Sequence, residues 1–307
     1  MKIIDTHCDA LLKLYDDTNR SFTNSPDIET NFERLSIGGV KGQLFAIFIE
    51  PETPFDEKYQ AAIKQIELFH SEVVGKHQHI KKIEQWSDFS LLKDGEIGAV
   101  LTLEGSDAFG NDLNKLNHFY DLGVKSLGLT WNNANLVGDG VGESRAAGLT
   151  DFGKEVVKLN NFNQVLTDVS HLSVRGFWDV IELADYPIAT HSNAFALCGH
   201  RRNLLDEQAK ALFQKNGLVG IVFNPPFLTE SGKATITDIV RHIEYFCSLG
   251  GEKHICLGSD FDGISEFVEG LENASKYQML MNELLKYYSE AQVAGFASKN
   301  FLNFIPK

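Results

Sequence analysis

The chain has 307 residues, 43% of them hydrophobic, which is enough to fill a large packed core and excludes a disordered chain. Its 42 acidic and 28 basic residues leave a formal charge of −14, so a phosphate backbone would be repelled and nucleic acid is not an expected partner. The 4 cysteines form no CxxC pair and no apolar run approaches the ~20 residues that cross a bilayer, so the expectation is a cytoplasmic chain with reduced thiols, no membrane partner and no anchor after "NFIPK".

In chain order, short apolar runs alternate with longer polar segments of helical periodicity. The first run, "KIID" at 2–5, breaks off into Asp5, His7 and Asp9, with Cys8 between the last two. Strands are then expected over 43–49, over 97–104 ending in Glu104, and over 124–131 ending in Trp131. The series continues with 164–171 ending in His171, 187–192 containing His191, 218–224, and 254–260 ending in Asp260. The intervening segments carry apolar residues three and four apart and often stop at glycine, as helix C-termini do.

A strand and then a helix, repeated about eight times, predict an α/β chain of the (β/α)8 TIM-barrel type. An open doubly-wound sheet is disfavoured because no GxGxxG follows the first strand and no GxxxxGK[ST] occurs. With no linker or repeat, the reading is a single domain over 1–307, its helical tail from about 266 to 307 packed on the barrel. Two long loops, 16–36 and 132–150, follow C-terminal strand ends and are expected to overhang the rim.

His7, Asp9, Glu104, His171, His191 and Asp260 all fall where an apolar run meets its following loop. In a barrel those ends converge on one rim. Each has an ordinary reading alone: a solvated strand end, a structural histidine, a turn aspartate. Together, three imidazoles and two carboxylates suit two divalent ions, with zinc favoured by the imidazoles. Alternation along the first strand would put His7 and Asp9 on one face and Cys8 on the other. His70, His77, His79, His118, His242 and His254 read as surface or packing residues, and His200 lies several residues beyond its strand.

The run of segments "DTHCD", "LEG", "LGVKSLGLTW", "LTDFGKEVVKLN", "DVSHLS", "THSNAFALCGHRRNLLDEQ", "GSDFDG" and "EGLENASKY" resembles the renal, or membrane, dipeptidases and their bacterial relatives. The resemblance implies a (β/α)8 metallohydrolase with two zinc ions, His7 and Asp9 on the first, His171 and His191 on the second, and Glu104 bridging. It makes Asp260 the catalytic aspartate and Arg202 the residue that grips the dipeptide's terminal carboxylate; its neighbour Arg201 is the alternative. The implied reaction is hydrolysis of unblocked dipeptides, L,D-dipeptides among them, by a hydroxide shared between the metals. Manganese, cobalt or iron in place of zinc, and a homodimer, are compatible with this reading. Two positions depart from the family: Trp131 stands where the mammalian enzymes carry a substrate-binding histidine, and Phe227 where a tyrosine is expected. Trp131 keeps a related amidohydrolase reaction open, either deacylation of N-acyl amino acids or lactone opening, as well as a catalytically silent metal-binding scaffold.

Overall fold

The computed structural model describes residues 1–307. Its strands are β1 (Ile3–Cys8), β2 (Val40–Phe48), β3 (Ile80–Lys82), β4 (Ile97–Glu104), β5 (Val124–Gly128), β6 (Leu166–Asp168), β7 (Pro187–Ala189), β8 (Leu218–Ile221) and β9 (Ile255–Leu257). All pair in parallel, in the order β2-β1-β9-β8-β7-β6-β5-β4, and β2 pairs with β4 to close the ring. Eight strands with surrounding helices therefore form a closed TIM barrel. The ninth, β3, was not expected from the sequence. It pairs with β4 at 97–99, below the residues 101–104 that β5 covers, and so extends β4's ladder outside the ring.

Two apolar layers hold the barrel. Ile4, Leu44, Val100, Leu166, Ile188, Leu218 and Cys256, from β1, β2, β4, β6, β7, β8 and β9, fill the lower interior. Trp86, Phe89, Phe301, Phe304 and Ile305 plug that end, so the C-terminal helix Asn300–Phe304 serves as a floor. The larger cluster lies between strands and helices and includes Cys8, Phe45, Ile47 and Tyr277. Burial of this apolar surface is the main drive to fold, at about 25 cal/mol per Å².

The ladders stop short of the expected strand ends. Single backbone bonds carry the barrel further: Val169 N donates to Ile188 O at 2.8 Å, Ser192 N to Gly220 O at 2.8 Å, and Asp260 N to His7 O at 3.2 Å. Beyond regular pairing the backbone is free of the pleat's alternation, and side chains turn over the barrel mouth. His171, His191, Trp131 and Asp260 all lie in this zone rather than inside a strand.

Candidate metal centre

The first ligand pair depends on an irregularity in β1. The pairing of β1 with β2 slips between Asp5 and Cys8. Thr6 faces the interior, its hydroxyl within hydrogen-bond reach of the carbonyls of Thr190 and Leu257 at 2.7 and 2.9 Å. Strict alternation would then turn His7 outward; the bulge re-aims it inward, a common use of bulges beside functional sites. Asp9 is not on the strand. It precedes helix Ala10–Asp16 as its N-cap residue, with φ −109° and ψ 29°. The two side chains share a site through a bulge and a turn rather than through the period of two that the sequence suggested. Cys8 does point into the outer core, fully buried.

The fold brings His7, Asp9, Glu104, His171, His191 and Asp260 into three overlapping clusters. His7 Nε2 lies 3.4 Å from Asp9 Oδ2, 3.6 Å from Glu104 Oε2 and 3.8 Å from Asp260 Oδ1. The other Glu104 oxygen, Oε1, faces His171 Nε2 at 2.9 Å and His191 Nε2 at 3.6 Å. One carboxylate thus addresses two groups of ligands, one with each oxygen.

Hydrogen bonding shows what these groups lack. His171 Nδ1 donates to Asn132 Oδ1 at 2.9 Å, and His191 Nδ1 lies 2.8 Å from Thr190 Oγ1. With both Nδ1 atoms protonated, the two Nε2 lone pairs face each other at 2.9 Å. Two lone pairs and a carboxylate oxygen converging on one point repel unless a cation sits among them. On the other side, His7 Nε2 and Asp9 Oδ1 are buried without any hydrogen-bond partner. Both observations fit divalent ions held by nitrogen and carboxylate donors.

The electrostatics point the same way. Burial opposes a charge on His7, but Glu104 and Asp9 outweigh it and raise His7 well above its ordinary value. Burial would raise Glu104, yet the adjacent His7 charge holds it well below the usual carboxylate range. Burial, with Arg202 nearby, brings His171 down to about 4, and burial, with His7, lowers His191 further from its ordinary value. Both histidines are therefore neutral and available as ligands at neutral pH. Asp260 is raised by burial, with Asp9 and Glu104 adding repulsion.

Above the cluster opens a cleft of about 720 Å³. Arg202 lines it, 5% exposed, with Nη2 donating to His191 O at 3.2 Å and with Nε and Nη1 unpartnered. Burial lowers Arg202 to about 10, which still leaves it charged at neutral pH. Trp131 and Phe48 form an apolar wall, their rings 5.5 Å apart, and Trp131 lies 6.0 Å from the His171 ring. Phe227 stacks on His200 at 4.2 Å, and the Arg202 guanidinium lies 5.7 Å from its centroid. His200 therefore belongs to the cleft wall and not to the ligand clusters.

Across its full length, residues 1–307, the sequence matches the family model for membrane dipeptidase, peptidase family M19. The chain belongs to that family. It is accordingly a metallo-dipeptidase, a hydrolase of peptide bonds. The dipeptidase aclJ of Aspergillus oryzae is 30% identical over 291 residues, covering 86% of this chain and 67% of that one. A protein from the pqqA 5' region of Klebsiella pneumoniae is 41% identical over 184 residues, 56% of this chain and 68% of its own. Among solved structures, a metallo peptidase from Rhodobacter sphaeroides liganded with a phosphinate mimic of the dipeptide L-Ala-D-Ala superposes with a TM-score of 0.92 at 26% identity. That match covers 99% of this chain and 98% of the other.

For this dipeptidase, sequence reasoning passed over Asn132 and Thr190, which orient the two imidazoles. Their only signal was adjacency, beside Trp131 and His191 respectively. The two long loops also behave differently from each other. Asn132, Asn133 and Gly142 of the second line the cleft. The first contributes no lining residue and instead braces one from behind: Glu29 N and Thr30 N donate to the buried Asp262 of the cleft lining at 2.7 and 3.2 Å. Of helix Ala10–Asp16 only Leu12 reaches the cleft lining.

Proposed function

We propose that this chain hydrolyses unblocked dipeptides, L,D-dipeptides included, with two zinc ions. His7 and Asp9 would hold one, His171 and His191 the other, and Glu104 would bridge them. The observation that carries this reading is the divided Glu104 carboxylate, each oxygen facing its own ligand group. When bound, a pair of such ions acidifies a water molecule and polarises a carbonyl.

The chain's own groups supply the rest. Arg202 has Nε and Nη1 unpartnered, and its planar guanidinium can take the substrate's terminal carboxylate along one edge as a fork. Asp260, 3.8 Å from His7, accepts the proton of the attacking water and returns it to the departing amine. Trp131 can donate one hydrogen bond but cannot become a cation, so its contribution is an apolar wall with one directed N–H. Phe227 supports Arg202 through its ring face. The L,D extension draws on the ligand of the Rhodobacter sphaeroides relative. Four free thiols support a cytoplasmic site of action, and no helix is long and apolar enough to cross a membrane. A single domain over 1–307 and a small-molecule substrate, with neither nucleic acid nor membrane as partner, complete the proposal; a homodimer is compatible with it.

The test is a chelated and re-metallated preparation assayed on L-Ala-L-Ala, L-Ala-D-Ala and N-acetyl-alanine. Chelation should abolish turnover, zinc should restore it near two ions per chain, and both free dipeptides should be cleaved. Undiminished activity without metal would overturn the metal reading, and preference for the acylated compound would overturn the substrate reading.

A further inference from the structure

A further buried carboxylate, outside the candidate ligand clusters, forms no hydrogen bond to any of the proposed ligands. Asp168 ends β6, is 7% exposed, and accepts hydrogen bonds from four groups. Its Oδ1 takes Ser170 N at 2.9 Å, Ser170 Oγ at 2.6 Å and Thr190 N at 3.0 Å. Its Oδ2 takes the Thr190 hydroxyl. An ionised carboxylate can only accept, so both hydroxyl protons are drawn toward it and the hydroxyl lone pairs face the other way.

Both sets of lone pairs face His191. Ser170 Oγ accepts the His191 backbone N–H at 3.1 Å, and Thr190 Oγ1 stands 2.8 Å from His191 Nδ1. A hydroxyl already donating to Asp168 can only accept from that nitrogen, which places the ring proton on Nδ1 and leaves Nε2 bare. We infer that Asp168 is a positioning residue that, through Thr190 and Ser170, fixes the tautomer and orientation of His191 and so presents its Nε2 to a cation.

This rests on the two-ion reading, and its first readout does not depend on metal. Without the relay, His191 can carry its proton on Nε2, 2.9 Å from His171 Nε2, where it blocks the site. A carboxylate acting on a ligating imidazole through a bridging group is a recognised way to tune metal affinity, with losses of about 10–100-fold on mutation.

The experiment is 15N NMR of histidine-labelled, metal-free protein, paired with zinc titration, on wild type, Thr190→Val, Thr190→Ser and Asp168→Asn. Expected are a protonated Nδ1 on His191 in wild type and in Thr190→Ser, and a mixed or reversed tautomer in Thr190→Val and Asp168→Asn. Affinity for one zinc ion should fall about 10–100-fold in the latter two and be restored by serine, which keeps the hydroxyl. If Asp168→Asn does not fold, the valine–serine pair decides alone. An unchanged tautomer with unchanged zinc affinity in Thr190→Val would overturn the inference. Failure of wild type itself to take up a second ion would instead overturn the two-ion reading.

Discussion

Arg202 and Asp260 divide the proposed chemistry between binding and proton transfer, and the division can be read kinetically. Arg202→Lys keeps the charge and removes the fork, so KM should rise about tenfold to a hundredfold, matching about 1.5–3 kcal/mol for a charge-assisted hydrogen bond, with kcat little changed. Steady-state kinetics on a free dipeptide checks this. Asp260→Asn should lower kcat by about 10²–10⁴-fold while metal content, measured by elemental analysis, stays at the wild-type level. At this scale the sequence was informative wherever a charged or ligating side chain interrupts an apolar run, as Glu104 and His171 do. It was silent on Asn132 and Thr190, because a polar residue beside a loop has many uses and only the third dimension selects one.

The last strand's turn, "GSDFDG", is more constrained than its composition suggests. Asp260 and Asp262 both have positive φ, 64° and 72°, a region that non-glycine residues seldom enter and that concentrates at functional sites. Gly263 completes the turn against the candidate ligand cluster: a Cβ there would lie 2.2 Å from Asp9 Oδ2. Gly263→Ala should therefore displace Asp9 and weaken binding of one ion by about 10–100-fold, measurable by zinc titration, while leaving the fold intact by circular dichroism. The order of elements was legible from the alternation of apolar runs and helical segments, and all eight barrel strands lie where those runs are. Their ends were not legible, since apolar character continues into 129–131 and 222–223 after the ladders have stopped. Nor was the β1 bulge, which leaves no trace in composition yet decides which way His7 points.

The first and last strands of the chain meet at the junction of β1 and β9, where the only laddered pair is Asp5 with Leu257. Asp5 is central to that seam. It accepts Ser259 N and Ser259 Oγ at 2.8 and 2.7 Å, and the Tyr277 hydroxyl at 2.6 Å, which fastens the C-terminal helices to the barrel beside His7. Burial raises the Asp5 carboxyl above its ordinary value, and these donors hold it down. A carboxyl raised in the fold costs stability as pH climbs from its unfolded toward its folded value. Tyr277→Phe removes a donor and widens that gap, so it should lower stability by about 1–3 kcal/mol, with a larger loss at about pH 8 than at about pH 5. Thermal melts at both values test this; an equal loss at both would take Asp5 out of the explanation.

The same seam orders events during synthesis. Asp5 and Ser259 meet across 254 positions of chain, so the carboxylate beneath His7 finds its serine partner only when the last strand has been made. A ribosome-bound chain exposes His7 and Asp9 long before Asp260, which stands 3.8 Å from His7 in the fold, has been made. During that interval an open imidazole–carboxylate pair favours whichever divalent ion binds such donors most tightly, copper above zinc. On the proposed two-ion reading, loading of the His7–Asp9 position therefore depends on when the barrel shuts relative to which metals the nascent chain meets.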